Sequence, residues 1–275
     1  MESRNKVGYT AAHRAAEGQD NDACLRTLYE GGANLEAACD EGMTAAHIAA
    51  AQGNWKCLSF LREPRVDLAA RSALGCTPLH SAALVGHIKC FNILRDAQVD
   101  VDAKGSDGWT AAHQAAFGNH PVCLRLLSDA NASLACPDKD GLTPGHLAAQ
   151  WGNVQCLSVL RDAGVSLVLR DNQGCTPKDV AVLYKQKSAV DFLVSLETMP
   201  RADVSRRQFN HSQLGSARVC LNCYMACVPG KLCSRCKPVA YCGRACQAEH
   251  GQLGFQKLAW VQRVSLDTSS VSRSY

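Results

Sequence analysis

Seven cysteines crowd one end of this chain: Cys220, Cys223, Cys227, Cys233, Cys236, Cys242 and Cys246. Two of the intervals are Cys-x2-Cys and two are Cys-x3-Cys, the last of them, Cys242 to Cys246, followed by His250. Two residues between ligands let a chain wrap one metal ion, so paired thiolates at this spacing predict tetrahedral zinc. A segment this small has little core and would depend on that metal to fold. Disulfides are the alternative use of such cysteines, and a reducing compartment disfavours them.

A second set of metal-competent residues recurs through the rest of the chain. His13, His47, His80, His113 and His146 each open a helix-like phrase, and Cys24, Cys57, Cys90, Cys123 and Cys156 follow ten or eleven positions later. We read these as structural. The cysteines sit beside leucines at spacings of three or four, in an apolar stripe where free Cys acts as a small hydrophobe. Packed helices lie about 8–10 Å apart, too far for cysteines of successive units to pair.

The elements that position these residues repeat. Gly8, Gly42, Gly75, Gly108, Gly141 and Gly174 recur at one constant interval, save that the first step is longer by a single position, and each is followed, after one intervening residue, by Thr. The phrases read Thr10-Ala-Ala-His13, Thr44-Ala-Ala-His47, Thr77-Pro-Leu-His80, Thr110-Ala-Ala-His113, Thr143-Pro-Gly-His146 and a degenerate Thr176-Pro-Lys-Asp179. Thr before a helix caps backbone N–H groups, and Pro is tolerated in the first turn. Small Ala-Ala pairs after the first five phrases let neighbouring helices approach. The extra residue of the first unit belongs in the turn between its helices. In the fourth unit Asn119 takes the place of the usual turn glycine, a substitution the left-handed helix terminus accepts.

Phrase and period together resemble the ankyrin family, whose unit is a hairpin turn followed by two antiparallel helices. The resemblance covers residues 8–195 as about six repeats: 8–41, 42–74, 75–107, 108–140, 141–173 and 174–196. It implies a mainly α solenoid in which each unit is stabilised by its neighbours and terminal units turn polar residues outward. Lys178, Lys185 and Lys187 of the last unit fit that expectation. It also implies that the recurrent His fixes the hairpin to the first helix, and that hairpin tips and first helices form a concave face for proteins. On that face Trp109, Phe117 and Trp151 are candidate partner contacts. Packing between repeats is the alternative use of the same rings.

Apolar periodicity ends after Leu196, so residues 197–219 read as a linker, 220–260 as the zinc module and the Ser/Thr-rich 261–275 as a disordered tail. The order Cys-x2-Cys, Cys-x2-Cys, Tyr-Cys-x3-Cys-Gln resembles a MYND-type zinc finger. That resemblance implies one site of Cys220, Cys223, Cys242 and Cys246, and a second built on Cys233 and Cys236. Gln256 and Trp260 stand where the family would place His and Cys, so the second site is degenerate unless His250 or Cys227 completes it. It further implies binding of short proline-containing peptides.

Charge divides the chain. Residues 1–199 carry 18 Lys/Arg against 22 Asp/Glu, and residues 200–275 carry 11 against 3, a net −4 and +8. Eleven scattered cations read as a solvated surface, and nucleic acid is not the expected partner. No apolar run is long enough to span a membrane and no secretory signal opens the sequence, which predicts a cytoplasmic or nuclear protein. The sequence lacks a phosphate-binding Gly-rich loop, a His-Glu-x2-His motif and a Gly-x-Ser-x-Gly elbow. The reading is a non-enzymatic adaptor that joins one partner of the repeats to another of the zinc module. The alternative is a RING-like ubiquitin ligase or a substrate-recruiting component of one, although nine residues between Cys223 and Cys233 are too few for the usual first RING spacing.

Overall fold

A computed structural model describes residues 3–18, 21–63 and 66–198, together with two two-residue strands, 218–219 and 226–227. Among the described residues there are twelve helices in six pairs. The first pair is α1 (Ala11–Glu17) and α2 (Asp22–Glu30), the second α3 (Ala45–Gln52) and α4 (Trp55–Arg62), and the third α5 (Pro78–Val85) and α6 (Ile88–Asp96). The fourth pair is α7 (Ala111–Phe117) and α8 (Pro121–Asp129), the fifth α9 (Pro144–Gln150) and α10 (Val154–Asp162), and the sixth α11 (Pro177–Leu183) and α12 (Lys187–Thr198). Each first helix packs on the first helix of the next pair, and each second helix on the next second helix.

Helices of seven to twelve residues would be marginal alone, so their stability comes from burial between neighbours. Each first helix brings small residues to the contact: Ala49-Ala50, Ala82-Ala83, Ala115-Ala116 and Ala148-Ala149 are fully buried. Each second helix brings bulk, with Leu58 and Leu61, Phe91 and Leu94, Leu124 and Leu127, and Leu157 and Leu160 filling the interior. Small faces large across every interface, which lets the pairs close without voids.

The cysteine stripe is a contact between units. Cys57 Sγ lies 3.9 Å from the Ala15 carbonyl oxygen, Cys90 Sγ 3.8 Å from that of Ala49, and Cys156 Sγ 3.9 Å from that of Ala115. The expectation that Cys24 shares this stripe is corrected: it is exposed. Cys57, Cys90 and Cys156 each meet the first helix of the preceding pair, and the first pair has none before it.

Two recurrent backbone turns set the spacing. The six hairpin glycines adopt φ between +69° and +87°. Between the two helices of a pair the left-handed residue is Gly53, Gly86, Asn119, Gly152 or Lys185, with φ of 74°, 81°, 59°, 69° and 57°. Asn119 takes the left-handed terminus that its sequence position predicts, while Gly118 keeps φ −74°. Gly86 cannot be replaced by a larger residue, because an added Cβ would overlap the imidazole of His120.

The final helix α12 runs to Thr198, two residues into the stretch expected to be linker, a shift within the ordinary fraying of helix ends. Beyond it the two short strands pair antiparallel, Arg218 with Cys227 and Val219 with Ala226. Cys220, Cys223, Cys233, Cys236, Cys242, Cys246 and His250 lie outside the described residues, as do 199–217 of the expected linker, the rest of 220–260 apart from 226–227, and all of 261–275; of Cys227 the backbone alone is described.

Candidate functional site

The recurrent Thr and His form one bridge per pair, repeated along the array. The backbone N–H of Thr10, Thr44, Thr77, Thr110 and Thr143 donates to Nδ1 of the His three residues on, at 3.0–3.1 Å. A backbone N–H can only donate, so Nδ1 is the acceptor and Nε2 carries the ring proton. Nε2 then donates to a main-chain oxygen of the next hairpin: His13 to Met43 at 2.8 Å, His47 to Cys76 at 2.9 Å, and His80 to Trp109 at 3.1 Å. His113 donates to Leu142 at 3.0 Å and His146 to Cys175 at 3.1 Å. The acceptor residue follows each hairpin glycine and varies freely in type, because its backbone alone takes part.

This geometry removes the chemistry that His could offer. Burial is the main cause that lowers the His47 and His113 imidazoles to about 4, outweighing the hydrogen bonds that favour the charged form. Burial lowers His80 and His146 as well. Both ring nitrogens are engaged and the rings are neutral, so none is placed to take a substrate proton or bind a metal. Burial likewise pushes the thiols of Cys90, Cys123 and Cys156 up to about 12, which suppresses the nucleophilic thiolate. All nine cysteines of the described array are free, and among the described residues no group of three His, Cys, Asp or Glu could hold a metal ion.

A second bridge closes the other end of α1, α3 and α7. Asn54 Nδ2 donates to the carbonyl oxygens of Ala16 and Gly18, and Asn153 Nδ2 donates to Ala116 at 2.8 Å. At the same register His87 Nε2 donates to Ala51 at 3.2 Å. The last carbonyls of a helix have no partner of their own, and here the following pair supplies one.

What the array leaves open is a row at the ends of the first helices. Phe117 packs edge-on against Trp151 with ring centroids 5.2 Å apart, and Trp109 packs on the other side of Phe117 at 5.6 Å. The three rings suggested by sequence are therefore one continuous cluster, but they differ in access. Trp109 is buried, stacked on His113, and its Nε1 donates to Asp138 Oδ2 at 2.9 Å. Placing Trp109 at an open hairpin tip is thus corrected: its ring ties two successive hairpins together. Phe117 is half-buried and Trp151 is 38% exposed.

Sequence reading passed over three residues of the same row. Val85, Leu183 and Tyr184 are 38%, 43% and 36% exposed and occupy the seventh or eighth position after their Thr, as Phe117 and Trp151 do. That shared register was the available signal. Elsewhere on the described surface one depression of about 200 Å³ lies between Ser128–Ala135 and Ala163–Leu169, and one of about 410 Å³ is lined in part by Arg62, Asp67 and Asp96.

The model of the family described as ankyrin repeats (3 copies) matches residues 1–72, 66–136 and 123–207. A search of the curated proteins gives no match. Three matches that run on from one another over most of the chain agree with the bridged helix pairs in their period and place: this chain belongs to the ankyrin-repeat family.

Proposed function

We propose that this protein is an adaptor whose repeats hold one protein through the row Val85, Phe117, Trp151, Leu183 and Tyr184. One observation carries the reading: in a family of interaction modules, four of these five large apolar side chains remain exposed, and all five stand at the seventh or eighth position after the Thr of four consecutive repeats. An aromatic anchor beside aliphatic neighbours is the composition of a binding hot spot. Burial favours the neutral forms of His47, His80, His113 and His146 and of Cys90, Cys123 and Cys156, which leaves the exposed row as the surface best suited to a partner.

The cysteine-rich segment is proposed as the second arm, with zinc held by thiolates of Cys220, Cys223, Cys242 and Cys246 and short proline-containing peptides as its ligands. The support is the donor set and its spacing, which suit zinc in a reducing compartment such as cytoplasm or nucleus. Two sites on one chain raise the effective concentration of one partner near the other.

The test is affinity capture from cell extract with the full chain and its Trp151→Ala variant, compared by quantitative mass spectrometry. A set of proteins lost with Trp151→Ala while the helical circular dichroism is unchanged supports the reading. An identical set from both proteins overturns the role of this row. Metal analysis of the full chain beside Cys242→Ser tests the second arm: loss of one bound zinc is expected, and equal zinc in both would remove Cys242 from the ligand set.

A further inference from the structure

The end of the helix pairs where the exposed row lies differs in charge from the rest of the array. In units two to five no Asp or Glu occurs at 42–62, 75–95, 108–128 or 141–161, and in unit six none occurs at 180–190. Glu63, Asp96, Asp129 and Asp162 stand at the opposite end, where the second helices finish, and the other acids of units two to five follow in the hairpin segments. An array whose residues 1–199 are net acidic thus has one end of its pairs, from unit two onward, with cations alone.

Lys56 and Lys89 are the second residues of α4 and α6, Lys187 is the first of α12, and Lys185 lies in the turn before it. The positive end of a helix dipole disfavours a cation in the first turn and favours an acid, yet α3 to α10 have no acid there. Helix stability therefore does not account for these lysines. Lys89 lies over the exposed ring of Trp55, Nζ 4.9 Å from its centroid, so two successive units present one surface of ammonium and indole. The cations fall in two groups, Lys56 and Lys89 beside Trp55, and Lys185 and Lys187 beside Tyr184. Between them the same end of units four and five presents Phe117, Val122 and Trp151 with no Lys, Arg, Asp or Glu, and burial moves the His120 imidazole toward its neutral form.

We propose that the row seats an extended peptide whose centre is apolar or aromatic and whose two flanks carry Asp or Glu, one flank meeting Lys89 and the other Lys187. This rests on the row as the seat of the partner and names the chemistry of what sits there. Successive units lie about 10 Å apart, so the three steps from Lys89 to Lys187 span about 30 Å, the length of about nine extended residues. Cations at both ends and none between select carboxylates at that separation, because complementary charge fixes register and rejects wrong partners. A single-stranded nucleic acid spreads its charge evenly and would need cations in units four and five, and aliphatic Val85, Val122 and Leu183 give its bases nothing to stack on.

The experiment selects random 16-residue peptides displayed on phage against the full chain, then measures the Kd of the enriched sequences by fluorescence polarisation. Four proteins are compared, each with its helical circular dichroism checked: the unaltered chain, Lys89→Glu with Lys187→Glu, Trp151→Ala, and Lys104→Glu with Lys139→Glu, which makes the same change of charge at exposed hairpin positions. The expected peptides carry acids about nine residues apart around an apolar centre, and lose about tenfold or more in affinity with Lys89→Glu and Lys187→Glu but less than about twofold with the hairpin pair. Peptides without acidic flanks, equal losses in the two charge-reversed proteins, tighter binding of a 20-nucleotide oligothymidine, or no enrichment would each overturn the proposal. Non-acidic peptides lost with Trp151→Ala would remove the charge pattern and keep the row, whereas peptides that bind all four proteins alike would remove the row as well.

Discussion

His80 joins three points of the chain: its Nδ1 accepts the backbone N–H of Thr77 in its own unit, and its Nε2 donates to the carbonyl oxygen of Trp109 in the next. The local bond orders the start of α5 and the distant one fixes the following hairpin. Substituting His80→Ala leaves a buried N–H and a buried C=O without partners, at about 1–3 kcal/mol each. Urea unfolding of the full chain should show a loss of about 2–5 kcal/mol, whereas Asp179→Ala, whose bonds are at the surface, should cost under about 1 kcal/mol. Equal losses would mean that the bridge between units adds nothing.

The neutral imidazoles make the array sensitive to acid. In the unfolded chain His47 and His113 titrate near 6.5, and in the folded array near 4, so between these values the unfolded state binds more protons. Their contribution is full above about pH 6.5 and is lost as pH falls toward 4, on the order of 3 kcal/mol for each ring. The urea midpoint should drop steadily from pH 7 to pH 4.5, and His113→Gln should flatten the slope. A midpoint constant over this range would show that the rings are not held neutral.

Thiol reactivity should sort the array by position. Cys24 is exposed and Cys57, Cys90, Cys123 and Cys156 are buried, the last three with thiols pushed up to about 12. A brief pulse of iodoacetamide on the native chain should label Cys24 and spare the other four. Cys123→Ala should lower stability by about 1 kcal/mol and Cys24→Ala by almost nothing. Rapid labelling of Cys123 would contradict the packing of α8.

Backbone strain gives a stabilising substitution. Lys185 holds φ 57° where three other pairs use Gly. Lys185→Gly relieves a left-handed residue with a side chain and should raise stability by about 0.5–1 kcal/mol, net of the entropy glycine adds to the unfolded chain. Gly86→Ala should do the reverse and cost more than about 2 kcal/mol, because His120 occupies the space. Thermal melts of both variants read the two signs directly.

Much of the array was legible because its determinants are local or recur at one period. The Thr-x-x-His phrases mark the helix starts, the Leu and Cys spacings mark the buried face, and Asn119 could be named as a left-handed residue from register alone. What escaped depends on a neighbour in the adjoining unit. Cys24 looks like its four counterparts, and only the absence of a preceding helix exposes it. Trp109 looks like a tip residue, and its partner Asp138 belongs to the next hairpin. The His residues read as local pins, while half of each bridge crosses to the following unit. Val85, Leu183 and Tyr184 were overlooked because a recurring apolar position does not by itself tell an exposed residue from a buried one.

Each His bridge between units ends on a main-chain oxygen, so that bond does not depend on which side chain the next unit places there. An interior unit could be copied or removed whole, in frame, with each donor still finding an acceptor. Such a chain can lengthen or shorten in evolution without inventing new contacts, until it meets Asp179, where the series of donors stops.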